Sequence, residues 1–203
     1  MLITAIEPRR KSLSALYLDG ELAVNLDTET LLKSGRKPGQ EIDDEQLHEL
    51  ITESESRRAR EKALYLLEHR SHSQKELADK ISRATSREAA ENAARHMAEI
   101  GLVDDEAYAR SLAAELLGRK GYSAQRARQE LLQKGIDREL AEQIIEETAP
   151  NPVEKIRELI DRKYRAYLND ERGCRRSVAA LQRLGYRWDD IRTALNQIKD
   201  EEE

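Results

Sequence analysis

Phenylalanine is absent from this 203-residue chain, tryptophan occurs once and tyrosine seven times. Hydrophobic residues make up 38% and charged residues 37%. So little bulky apolar material argues against one large core. It suits several small cores of Leu, Ile and Ala, as in a string of helical units. Cysteine is nearly missing too. Cys174 stands alone, so no disulfide can close within the chain, and a reducing compartment is expected. No run approaches the ~18 apolar residues of a membrane span, and the opening MLITAIEPRRKS holds too short an apolar stretch for a secretory signal. A soluble, cytoplasmic, monomeric protein with no membrane partner is the expectation.

The marks of chemistry are also missing. There is no Gly-rich phosphate loop, no GxSxG elbow and no HExxH pair. His69 and His72 lie three apart with His96 elsewhere, which does not make a zinc set of four ligands. Asp104 and Asp105 are neighbours and do not face each other on a helix; they suit a helix start. Cys174 sits amid Arg172, Arg175 and Arg176, but no pattern supplies it with a base. No catalytic residue, metal or cofactor is predicted: the chain reads as a binding protein, not an enzyme.

What is present falls into two styles. Residues 1–42 read as a small β-rich extension. SLSALYLDGELAVNL carries two alternating runs around Asp19-Gly20, a pair suited to a two-residue hairpin turn. LITAIE is a third strand, and DTETLLKSG a short helix capped by Asp27 and stopped by Gly35. From Asp43 onward the periodicity is helical. DDEQLHELITESESRRAREKALYLLEHR holds no Gly or Pro, so it forms one long helix, or two with a break near Thr52–Ser56. Ser73 and Glu76 have capping-box spacing. Ala89, Ala93, Met97 and Ile100 share one side of the next helix.

Helix ends then recur as Gly followed by an apolar residue: Gly101-Leu102, Gly121-Tyr122, Gly135-Ile136 and Gly185-Tyr186. Gly takes the left-handed position and the next side chain folds back on the last turn. Asp104 or Asp105, Ser123 and Asp137 follow as N-caps. The result is a threefold helix–helix–helix repeat. The divisions are 43–104, with a long lead-in helix, then 105–150, then 151–203 including an acidic tail. Leu131 and Leu181 align, as do Arg126 and Arg176; Leu140 and Ile191 align with a one-residue slip. The predicted fold is mainly α: three tandem three-helix repeats in an elongated, curved array, preceded by the β-rich extension.

Charge is segregated within this pattern. The whole chain has net charge −5. Yet residues 119–134 hold Arg119, Lys120, Arg126, Arg128 and Lys134 against Glu130 alone. Residues 172–187 hold Arg172, Arg175, Arg176, Arg183 and Arg187 with no acid at all. Residues 137–147 and the closing KDEEE are acidic. A solvated helix face explains any one arginine. Recurrence at one place in two repeats predicts a basic band on the middle helices, suited to an acidic protein groove or a phosphate backbone. These ten cations are the candidate partner-binding residues.

The segment GLVDDEAYARSLAAELLGRKGYSAQRARQELLQKGIDRELAEQII strongly resembles the middle repeat of the RecX family, bacterial regulators of the RecA recombinase. ALYLLEHRSHSQKELADKI looks like its first repeat and VAALQRLGYRWDDIRTAL like its third. YLDGELAVNLDTETLLKSGRKPGQEI is similar to the extension of longer members, so the likeness covers about 1–198. Two departures stand out: Ala84-Thr85 replaces the usual Gly-aromatic ending of the first repeat, and Tyr108 stands where Phe is common. The resemblance implies three tandem three-helix repeats. It also implies binding to the RecA–single-stranded DNA filament, with restraint of ATP hydrolysis and strand exchange or promotion of disassembly, in recombination, DNA repair and the SOS response. The alternative from the residues themselves is a repeat protein that binds DNA directly, since three-helix units also resemble helix-turn-helix folds.

Overall fold

The computed structural model describes residues 1–10, 12–168 and 170–200. Glu201–Glu203 of the expected acidic tail lie outside the described residues. The chain divides into two units, Met1–Asp104 and Asp105–Glu203.

The first unit opens with an antiparallel meander of β1 (Ile3–Pro8), β2 (Leu13–Leu18) and β3 (Glu21–Asp27). Its β2–β3 turn is Asp19-Gly20, with φ of 52° and 90°, as a type I′ hairpin requires. Alternation buries Ile3, Leu16, Leu18 and Leu26, and Leu31, Ile42 and Leu50 close the core over them. Helix α1 (Thr28–Ser34) starts at Asp27, whose carboxylate accepts from Thr30 N at 2.9 Å, and stops at Gly35.

Helix α2 (Asp44–His69) runs unbroken through 52–56; at 1.5 Å per residue it is about 39 Å long. One helix thus serves two cores. Leu47, Leu50 and Ile51 face the sheet, while Ala59, Ala63, Leu66 and Leu67 face the first repeat. Between them, the Ser54 hydroxyl accepts from Asp27 N at 2.7 Å. Arg57 Nε lies 3.0 Å from Asp27 Oδ1, off the hydrogen-bond line, and Arg57 also pairs with Glu29 and Glu61. The buried Asp27 carboxylate is therefore compensated from two sides.

Helices α3 (Gln74–Ile81) and α4 (Arg87–Glu99) complete the first repeat. Its core is rich in small side chains, Ala59, Ala63, Ala78, Ala90, Ala93 and Ala94, with Leu77, Ile81, Met97 and Val103. Ser73 caps α3 by accepting from Glu76 N at 3.1 Å. The Glu76 carboxylate takes Arg70 at 2.9 and 3.0 Å and the buried His72 at 3.0 Å. Two expectations are corrected here. Ile100 and Leu102 are half exposed rather than packed. The helix ends in a turn where Gly101 N donates to Ala98 O and Leu102 N to Met97 O. That turn swings both side chains outward and brings Val103 into the core instead.

In the second unit, α5 (Asp105–Ala114) continues into a π-helical turn, Glu115–Lys120, followed by α6 (Ala124–Gln133) and α7 (Arg138–Thr148). Then come α8 (Pro152–Leu159), a second π-helical turn, Ile160–Tyr164, a 3₁₀ turn, Arg165–Tyr167, α9 (Glu171–Arg183) and α10 (Trp188–Asp200). Ser123, Asp137, Asn151 and Asp170 cap helix starts with their side chains. After α6 and α9 the same closure appears: Gly135 N to Leu132 O with Ile136 N to Leu131 O, and Gly185 N to Gln182 O with Tyr186 N to Leu181 O. Both pairs are Schellman turns.

The two repeats keep a fifty-residue offset with no slip. Leu131, Ile136, Ala141 and Ile144 are buried, and so are Leu181, Tyr186, Ile191 and Ala194. The counterpart of Ile191 is Ala141, not Leu140, which is only half-buried. The slip read from the sequence came from matching large side chains instead of buried positions.

The repeats also lock together. Ser123 N donates to Leu184 O at 2.9 Å, and the Arg126 guanidinium donates to the Arg183 carbonyl. Gly185, at φ +95°, leaves no room for a side chain: a Cβ there would stand 2.5 Å from Ser123 Oγ and 2.8 Å from Arg126 Cβ. Gly121, at φ +69°, similarly abuts Leu159. At both positions only glycine meets the backbone angle and the close approach together.

Candidate partner-binding face

The ten predicted cations all lie in the second unit, but not all on middle helices. Arg126 and Arg128 are on α6, and Arg172, Arg175, Arg176 and Arg183 on α9. Arg119 and Lys120 occupy the π-helical turn after α5, Lys134 caps the end of α6, and Arg187 immediately precedes α10.

The seam between the repeats brings part of the set together. The N-terminus of α6 meets the C-terminus of α9, so Arg126 reaches the Arg183 carbonyl. The Arg126 guanidinium also stacks 3.9 Å above the Tyr122 ring, with Lys120 Nζ 5.9 Å from the same ring. Such cation–ring contacts are worth about 0.5–1 kcal/mol at exposed sites. Tyr122 is half-buried and also packs against the core of the second repeat.

Local carboxylates neutralise others. Glu115, one turn upstream, pairs with Arg119 and lies 3.5 Å from Lys120; the Arg119 hydrogen bond first, then the Lys120 charge, holds its carboxyl below the usual range. Arg128 lies 3.4 Å from Glu142, which also takes Arg138 at 3.1 Å. Arg175 pairs with Glu171 one turn before it. These are exposed pairs, each worth little and easily exchanged for another anion.

Besides Arg126, which donates to the Arg183 carbonyl, four members have no carboxylate partner among the described residues: Arg172, Arg176, Arg183 and Arg187. All four side chains are exposed, and all belong to the third repeat or its α9–α10 turn. The uncompensated positive charge thus concentrates there. Arginine presents a planar fork that takes a carboxylate or a phosphate with two parallel hydrogen bonds. Among the described residues there is no group of three or more His, Cys, Asp or Glu placed to hold a metal ion. No helix there is long and apolar enough to cross a membrane.

Comparisons with known proteins agree with this architecture. A family model described as RecX, second three-helix domain, matches residues 104–145. The regulatory protein RecX of Caldanaerobacter subterraneus subsp. tengcongensis is 33% identical over 200 residues, covering 97% of this chain and 99% of that protein. The regulatory protein RecX of Clostridium tetani is 26% identical over 204 residues, covering 95% and 91%. A crystal structure of a regulatory protein RecX matches with a TM-score of 0.61 at 23% identity, over 96% of this chain and 98% of that one. RecX from Lactobacillus salivarius matches with a TM-score of 0.58 at 20% identity, over 71% and 97%. At those identities the solved structures establish the fold alone: tandem helical repeats.

Proposed function

The chain belongs to the RecX family, and from that premise we propose that it is a cytoplasmic, non-enzymatic regulator that binds the RecA–single-stranded DNA filament. Binding restrains the filament's ATPase and strand exchange in recombination, DNA repair and the SOS response. The basic band meets the filament, with Arg172, Arg176, Arg183 and Arg187 as its strongest contacts. One observation carries this reading: an acidic chain leaves these four exposed arginines uncompensated on one repeat. The remaining candidates, Arg119, Lys120, Arg126, Arg128, Lys134 and Arg175, give secondary contacts, since the exposed ion pairs of Arg119, Lys120, Arg128 and Arg175 can be traded for the filament's anions.

The test is the single-stranded-DNA-dependent ATPase of the cognate recombinase, titrated with this protein. The parent chain lowers turnover near stoichiometry. A variant with Arg172, Arg176, Arg183 and Arg187 changed to Glu keeps its melting temperature and loses the effect. A folded variant that inhibits like the parent would overturn the face.

A second reading, direct binding to DNA, draws on Lys120 and Arg126 gathered about the Tyr122 ring, an arrangement suited to stacking a base beside a phosphate. Salt separates the two. Binding to bare DNA falls steeply and linearly in log–log terms as phosphate counterions are released. Tight, salt-steep binding to bare DNA with no effect on the ATPase favours the second reading.

A further inference from the structure

Between α9 and α10 lies an open cleft of about 670 Å³. Leu168, Val178, Leu195 and Ile198 form its apolar floor, Trp188 stands 49% exposed at its edge, and Arg165, Arg175, Arg192 and Lys199 rim it. No carboxylate lines it among the described residues. Arg192 and Lys199 have no carboxylate partner there either, whereas Arg165 and Arg175 pair with Asp161 and Glu171.

The second repeat has a cleft at the same place, lined by Ala124, Gln125, Arg128, Glu142, Ile145 and Glu146, with a volume of about 380 Å³. Fifty residues on, those six positions are Cys174, Arg175, Val178, Arg192, Leu195 and Asn196, and all six line the larger cleft. The differences are directed. The Arg128–Glu142 pair that bridges the first cleft becomes Val178 and Arg192, which cannot pair. Glu146 becomes Asn196. The bridge is lost, both acids are lost, and an apolar floor and a positive rim remain.

We propose that this third-repeat cleft is a docking groove for an acidic segment of a partner protein, one that places aliphatic side chains between its carboxylates. The charge complementarity commits the occupant: cations at the rim without an acid of their own, above a floor that takes Leu- or Ile-sized side chains. A nucleic acid fits less well, because among the described residues Trp188 is the only aromatic lining the groove and single-strand binders use successive rings. The proposal does not rest on the filament reading; it requires only the groove.

Trp188 is the chain's single tryptophan, so its fluorescence reports occupancy without a label. The probe is a synthetic amphipathic peptide of about 14 residues, near four helical turns, with Leu on one face and Glu flanking it. The full-length protein is expected to give a saturable blue shift of Trp188 emission. Replacing the peptide's Glu by Gln, or Arg192 and Lys199 by Glu, is expected to weaken binding at least about tenfold. The double variant Val178→Arg, Arg192→Glu rebuilds the second repeat's bridge. It should keep the melting temperature and lose the peptide. No saturable shift would overturn the proposal, as would equal binding of the Gln peptide. So would a shift produced by single-stranded oligonucleotide but not by peptide, or one produced by raising the protein concentration alone, which would mark a second copy as the occupant.

Discussion

The second and third repeats bury the same positions and expose different chemistry. Where the second has Ala141 and Ile144 in its core, the third has Ile191 and Ala194: the large and small side chains trade places. A volume-conserving exchange of that kind keeps a core packed at little cost. The surface between the helices has no such constraint. One cleft is bridged by Arg128 and Glu142, and its counterpart is open and positive. Repetition supplies a scaffold twice, and the unpaired positions of one copy are then free to acquire a use.

The comparison breaks most forcefully at the closing turn of the third repeat. Gly185→Ala combines a left-handed backbone, costing about 1–2 kcal/mol for a non-glycine residue, with a collision against Ser123 Oγ. A loss above about 2 kcal/mol is expected in denaturant unfolding monitored by circular dichroism. A neutral result would mean that the repeats can separate at little cost.

A subtler contrast is Tyr186, which stands where the second repeat has Ile136. Its hydroxyl is buried with no hydrogen-bond partner among the described residues, and burial pushes its pKa up to about 12. The unfolded chain therefore loses this proton first. Stability present below pH 10 falls as pH rises from about 10 towards about 12. Tyr186→Phe removes the orphan hydroxyl and is expected to stabilise by about 1 kcal/mol. It should also flatten this part of the alkaline decline, as thermal melts at graded pH will show.

The smallest effect is expected in the other cleft. Arg128→Ala removes a pair whose side chains are 42% and 38% exposed, and should cost under about 1 kcal/mol. A larger loss in chemical denaturation would show that the bridge holds α6 against α7, and that its absence in the third repeat is a structural debt.

Much of the scaffold was legible in the residues. Asp19-Gly20 announced its hairpin, Asp27, Ser123 and Asp137 their caps, and Gly135 and Gly185 their helix ends, because each depends on local backbone chemistry. Ile100 was misjudged because periodicity says which side of a helix is apolar but not where the chain turns away from it. Glu115 was overlooked as the partner of Arg119 because it lies just outside the basic run that drew attention. Arg192 was hidden beside Asp189 and Asp190, which cancel it in any count along the chain. Only the fold, which sends Arg192 into the cleft, separates it from them.

The stretch TAPNPVE, with Pro152 in the first turn of α8, looks like a joint between modules. The contacts from Ser123 to Leu184 and from Arg126 to Arg183 cross it far from that joint. The covalent hinge and the mechanical one are therefore different places. Cooperative unfolding should follow the second: the two repeats melt as one foldon, and severing the peptide at 150 leaves them clasped. Counting repeats in the sequence gives three, while counting cooperative unfolding units in this half of the chain is expected to give one.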